Sequence, residues 1–483
     1  MLIRQTIAYL PAQLLGPLTQ FATAIVLTHY LGAADYGLTM LIFASQELVF
    51  LVCMSWWTFY MLRYAGGFST DEERIRYAHT EQHVLLVTTL LQGFVTAGIV
   101  FATKPDAPLA FHLSACVFTM TRSYLNFLAE YARKNAAIGA YSLVQILPPI
   151  GGLGFTVLAL ELMATEPATV LLIYAGVQLV VSLVASRLVG LRPLNGSMDR
   201  PILRAAMQFG LPITLAGGFG WVAAHGIRFV VQVGDGAVAL GLLSVGWTLA
   251  TRLSNVAAML VTAAAYPLAV RAMEAGDEEG ARRQLSNNSA LLLGVIAPAT
   301  LGVVAINEPL VRWLIAPEFQ NATIQILPWA LLGAAIRNLR MHGWDQMFLL
   351  FEAPKAMLVL EFTESIITVL AAVIGLAMNG LVGAVIGASL AAIATAFCDM
   401  LYLRWRFDMP LPLWQFARVV LASGAMYGAI VMLPTFGVMV RPQWNSILVV
   451  VLFGMAVYAA MIPLLFPSLL GSVRQFIAAR RTR

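Results

Sequence analysis

The chain has 483 residues, 60% of them hydrophobic and only 11% charged, with a formal net charge of +5. Soluble domains carry about 25% charged residues, and the mean hydropathy here is +0.81, which excludes a water-soluble globular fold. Apolar runs of about 20 residues recur along the whole length, the composition of a polytopic membrane protein.

Barrel strands need only about 10 residues each, so runs of this length predict helices. In chain order the expected spans cover residues 7–30, 37–62, 82–103, 109–131, 140–162, 167–189, 207–232, 237–268, 286–306, 325–350, 355–378, 381–404, 413–434 and 446–466. The first follows Arg4 and is longer than a signal-peptide core, so it reads as an uncleaved span. It carries Pro17 and passes to the second through LGAADYGL (31–38), a turn with one Asp. The second holds a lone acid, Glu47, and the fourth a lone base, Arg122.

The seventh span contains FGWVAAHGIRFVVQVG (219–234), where Arg228 follows His225 by three residues. It turns into the eighth, which holds Arg252, through VGDGAVALGL (233–242), again Gly-punctuated with one Asp. The loop RAMEAGDEEGARRQL (271–285) places Glu278 and Glu279 four residues before Arg282 and Arg283, the spacing of a solvated helix. The tenth span holds Arg337, Arg340 and Asp345, the eleventh Glu361 and Glu364, the twelfth Asp399. Gly383 and Gly387 in the twelfth suit close helix packing.

With the N-terminus in the cytoplasm, cytoplasmic segments hold 21 basic residues and outer segments 3, Lys104, Arg312 and Arg441. The positive-inside rule then puts both termini inside and supports an even number of spans. The two similar turns suggest a six-span repeat, with lobes at 1–190 and 200–405 and two extra helices and a tail at 410–483. Such repeats typify secondary transporters.

There is no GxxxxGK[ST] loop for ATP, no HExxH or Cys/His cluster for a metal, and no CxxC pair among Cys53, Cys116 and Cys398. No cofactor is called for, and no nucleic-acid partner. A membrane-embedded transferase is the enzyme alternative, but it needs a catalytic acid, base or His cluster where the chain has scattered single candidates.

Five basic residues remain inside spans: Arg122, Arg228, Arg252, Arg337 and Arg340. A lipid-facing Arg at mid-membrane costs at least ~2.5–3.5 kcal/mol, so these should face a bundle interior or aqueous cavity. Arg337 or Arg340 could pair with Glu361 or Glu364 on the next helix, or face substrate. Arg122, Arg228 and Arg252 have no evident acid near them in sequence, and Arg228 could also snorkel to the outer interface. Guanidinium groups around a cavity suit a phosphate or diphosphate, whose oxygens accept bidentate bonds. Glu47 could bind a coupling ion or pair with an arginine.

The segments QLLGPLTQFATAIVLTHYLGAADYGLTMLIFAS (13–45) and FGLPITLAGGFGWVAAHGIRFVVQVGDGAVALGLLSVGWTLATRLS (209–254) resemble the first two spans and spans seven and eight of Wzx-type polysaccharide flippases. These belong to the multidrug/oligosaccharidyl-lipid/polysaccharide (MOP) exporter superfamily. The matching positions are an LG…YG turn after span one, then Phe209, Gly210, Pro212, Arg228 and Gly241. The resemblance implies an all-α protein of two six-helix lobes alternating access around a cationic cavity, with spans thirteen and fourteen shaping a groove for a lipid tail. The implied cargo is an undecaprenyl-diphosphate-linked oligosaccharide crossing the bilayer of an inner membrane, with a polysaccharide polymerase and a chain-length regulator as partners. By their place inside spans, Arg122, Arg228, Arg252, Arg337 and Arg340 are the expected substrate-binding residues and Glu47 the expected ion-coupling residue. The peptidoglycan-lipid branch has arginines in its first two spans, absent here apart from Arg4 at the edge. A multidrug exporter of the superfamily should instead show an acidic, aromatic cavity.

Overall fold

A computed structural model describes residues 15–68, 70–162, 166–191, 195–351 and 353–466. The start of the first expected span (7–14), Arg4, Arg192 and the basic C-terminal tail lie outside the described residues. The described chain is helical from α1 (15–26) onward. It continues as α2 (Ala33–Tyr64), α3 (Asp71–Thr103), α4 (Leu109–Lys134), α5 (Ile138–Leu162) and α6 (Pro167–Leu188).

The run Arg200–Glu274 breaks at Gly236 (φ 80°, ψ −172°), giving α7 (200–235) and α8 (237–274). That backbone conformation is open to glycine and poor for other residues, so one Gly of the expected turn makes the whole turn. After α9 (Glu278–Ala305) a short helix, Asn307–Leu314, precedes α10 (Pro317–Leu339), which continues into a π-helical turn at Arg340–Trp344. The run Pro354–Phe407 breaks at Asn379 and Gly380 into α11 (354–378) and α12 (381–407), followed by α13 (Leu413–Val431) and α14 (Trp444–Leu465). Among the described residues eight helical runs are long and apolar enough to cross a membrane by length and composition, and the two kinked runs are among them.

Several helices outrun their apolar stretches, because hydropathy marks bilayer thickness and not the end of the hydrogen-bonded backbone. α3 starts at Asp71, well before the apolar run at 82, because Thr70 and Glu73 form a capping box. In α9 the Asp277 side chain accepts from Gly280 N at 2.8 Å and Arg282 reaches Glu278 at 3.0 Å, as the i,i+4 spacing predicts.

The residues cluster into two compact units. The first comprises residues up to Val245 together with Glu361–Val369, and the second comprises Gly246–Leu360 and Leu370 onward. Contacts thus divide the chain inside helices, whereas the sequence reading divides it in the loop after residue 190.

In the first unit α4, α5 and α6 share a core of Leu125, Leu128, Tyr141, Val144 and Val181. An aromatic core gathers Trp56, Trp57, Tyr60, Tyr77 and Phe127 from α2, α3 and α4, with Ala206 of α7. The two glycine-marked turns of the sequence meet here. A Cβ on Gly241 would overlap the Ala33 carbonyl, and one on Gly37 would lie 2.5 Å from Ala237 O. The backbones of α2 and α8 therefore touch, which ties the α7–α8 corner to the first helices. The second unit packs α8, α9, α10 and α12 through Ala258, Leu285, Leu292, Leu339 and Leu403. A satellite core of Met426, Ile430, Ile447 and Val450 holds α13 and α14.

Candidate functional site

In the first unit the site is built on α7. Phe219 meets Phe362 edge-on at 4.9 Å between ring centroids. A Cβ on Gly220 would come within 2.8 Å of Glu361 Oε2, and one on Gly226 within 3.1 Å of Val369. Residue numbers climb together along these contacts, so α7 and the segment 361–369 run parallel, and Gly220 leaves room for a carboxylate against the α7 backbone. Glu361 and Glu364 are both buried.

One turn further along α7, His225 Nε2 lies 3.9 Å from Glu47 Oε2 of α2, and its ring packs against Trp221 at 5.1 Å. Glu47 keeps 47% of its side chain exposed. Arg228 is 6% exposed and lies within electrostatic range of the Tyr36 hydroxyl. It is therefore interior, and not a residue snorkelling along a lipid-facing surface. The unit places Arg228 and His225 on a helix flanked by two carboxylates, Glu47 of α2 and Glu361 of α11. This acidic company is not legible in the sequence, because Glu47 and Glu361 are each more than 100 residues away in the chain. Arg122 of α4, half-buried, lies within electrostatic range of the Tyr174 hydroxyl of α6, beside a Thr121–Gln178 hydrogen bond of 2.8 Å.

The second unit holds the other arginines. Asn338 Nδ2 donates to Asn255 Oδ1 at 2.9 Å, joining α10 to α8. Arg337 is the neighbour of one partner and Arg252 lies one turn from the other, so the two half-buried arginines share a level on facing helices. Arg340 is more deeply buried than Arg337. The chain enters its π-helical turn at Arg340, and the guanidinium, 2% exposed, sits 3.1 Å from Asp345 and 2.9 Å from Asp399. Fixed carboxylates of its own unit engage its charge. Among the described residues no group of three or more His, Cys, Asp or Glu side chains could hold a metal ion.

No family model matches the chain, and no curated protein matches it in sequence. Solved structures do. The lipid II flippase MurJ in an inward closed conformation aligns over 97% of this chain and 100% of its own, with a TM-score of 0.73 at 13% identity. An inward-facing multidrug resistance MATE family transporter of the MOP superfamily aligns over 83% of this chain and 98% of its own, with a TM-score of 0.63 at 16% identity. A MOP superfamily transporter from Pyrococcus furiosus, noted for a binding pocket of reverse polarity that suggests a different function, covers 84% of this chain at a TM-score of 0.53 and 16% identity. The chain is thus a multi-pass membrane protein with the fold of the MOP-superfamily transporters, the coarse class that the resemblance implies.

Proposed function

We propose that the protein is a flippase for an undecaprenyl-diphosphate-linked oligosaccharide, carrying a repeat unit from the cytoplasmic to the outer leaflet for surface or exopolysaccharide export. The observation that carries this reading is the level pairing of Arg252 and Arg337 through the Asn255–Asn338 bond. Two guanidinium groups on facing helices suit the two phosphates of such a lipid, each offering a planar fork to phosphate oxygens. Arg122 and Arg228 of the first unit are further candidate contacts for the anionic cargo. Transport proceeds by alternating access with both termini in the cytoplasm, and Glu47 beside His225 takes the coupling ion.

The test is complementation of a strain lacking its own polysaccharide flippase, scored beside membrane abundance. Arg252→Ala and Arg337→Ala should insert normally and fail to export glycan. Lys at either position should restore only part of the export, since an ammonium cannot make the bidentate contact. Full export by the double Ala variant would sink the assignment.

A second reading is favoured by one observation. Glu47, Glu361 and Glu364 with Trp221 make the α7 region acidic and aromatic, which suits an organic cation. Dye efflux by the wild-type chain with no glycan export would select it. A lipid II cargo would instead appear as rescue of a strain depleted of its peptidoglycan-lipid flippase.

A further inference from the structure

No Asp or Glu follows Asp408 in the sequence, yet α13 carries Arg418, five residues inside its start at Leu413. The second unit holds this cation between two rings. Its guanidinium carbon lies 4.9 Å from the ring centroid of Trp414 and 5.5 Å from that of Phe466, the residue after α14. Helical side chains lean toward the helix N-terminus. Arg418 therefore reaches back over Trp414, toward the membrane face at which α13 begins. Trp414 is exposed and Arg418 half-buried.

The elements around Arg418 supply no counter-charge. α13 packs chiefly on α9 and α14. A Cβ on Gly294 of α9 would lie 4.0 Å from Val419 Cγ2, and Tyr458 of α14 donates to Gly294 O at 2.8 Å. α14 contains no charged residue, and α9 contains none after Arg283. The acids of α9, Glu278 and Glu279, already engage Arg282 and Arg283. Glu279 also stands 15 residues, about 22 Å of helix, before Gly294. Among the described residues Arg418 makes no hydrogen bond or ion pair, and the chain beyond Phe466 holds no acid. Arg340 of the same unit, with two aspartates against it, is the contrasting case.

Stacking on rings leaves a guanidinium its N–H donors, which lie along its edges. A permanent cation with no internal counter-ion selects an anion, and its planar fork suits the oxygens of a phosphate. The surroundings say where that phosphate comes from. Leu413, Leu421 and Leu464 are exposed on the same two helices, an apolar surface that a bilayer covers. A Trp at the end of a span sits at the level of the lipid headgroups. A soluble anion would meet only the guanidinium, whereas a lipid meets both the guanidinium and the apolar surface.

We propose that Arg418, held by Trp414 and Phe466, is a binding site for the phosphate of an anionic phospholipid of the surrounding bilayer. The site stands apart from the cargo arginines and does not depend on which cargo the protein carries. With both termini in the cytoplasm, it lies in the cytoplasmic leaflet, where anionic lipids attract basic side chains.

Native mass spectrometry of the full chain, delipidated in detergent and titrated with phosphatidylglycerol, tests this. The wild type should retain phosphatidylglycerol severalfold more strongly than phosphatidylcholine, and its melting temperature should rise with the former. Arg418→Gln should lose both the preference and the rise. Arg418→Lys should keep only part, since an ammonium cannot make the bidentate contact. Arg204→Gln, which removes an equal charge from an exposed position in the first unit, should keep both. Unaltered retention in Arg418→Gln, or an equal loss in Arg204→Gln, would overturn the site. Should Arg418→Gln fail to accumulate, Trp414→Ala loosens the guanidinium without removing it and should still weaken retention severalfold; unchanged retention would refute the proposal. Undecaprenyl diphosphate stabilising the wild type through Arg418 where phosphatidylglycerol does not would also overturn it, and give the residue to the cargo.

Discussion

Replacing Arg340 with methionine should destabilise the protein before it impairs transport. The perturbation removes one cation and leaves Asp345 and Asp399, whose side chains are 7% and 3% exposed. At 2.9 Å the Arg340–Asp399 attraction is about 6 kcal/mol for an effective dielectric near 20. Desolvation of the ions offsets much of that when the cluster is intact. Removing only the cation leaves the desolvation cost uncompensated, and breaking a buried pair this way costs about 3–5 kcal/mol. That is a large share of the ~5–15 kcal/mol that usually separates folded from unfolded chains. Arg340→Met should therefore fall sharply in membrane abundance and melt earlier in detergent by fluorescence-detected size exclusion. Adding Asp399→Asn should recover part of the loss, because one stranded charge is gone. If Arg340→Met kept wild-type abundance and melting yet exported no glycan, the pairing argument would fail and Arg340 would meet cargo directly.

Gly241→Val should abolish accumulation of folded protein, since its side chain would strike the Ala33 carbonyl; a normal immunoblot signal would show that α2 and α8 can separate. Glu47→Gln should lose the pH or sodium dependence of export while keeping abundance, and unaltered transport across both ranges would remove Glu47 as the coupling site. Thr70→Ala should cost about 1 kcal/mol by deleting the α3 capping box, read as faster amide exchange in the first turn of α3 only. Reporter fusions after residues 35, 165 and 380 should signal outside and those after 75, 195 and 483 inside; inverted signals at two or more sites would overturn the charge-bias topology.

Much of the helical layout was legible because hydrophobic length is a local property. The apolar stretch 413–434 and α13 differ only at the end, and the break at Gly236 falls inside the glycine-marked turn. What local pattern cannot carry is which helix faces which. Arg340 meets Asp399 from 59 residues away. Arg340 also opens a π-helical turn, at whose end Asp345 comes within 3.1 Å of it. His225 finds Glu47, and Glu361 finds Gly220, only through tertiary packing.

The chain passes between its two units at 245–246, 360–361 and 369–370, and each crossing lies inside a helix. Genetic engineering of this protein inherits that constraint. Domains joined by exposed linkers can be cut apart, exchanged or expressed as halves, but a cut at any of these points would expose main-chain amides and carbonyls within apolar surroundings, where nothing can hydrogen-bond them. Chimaeras with related transporters should accordingly succeed when spliced in water-exposed loops, such as the one after Glu274, and fail when spliced at the borders that contacts alone would suggest.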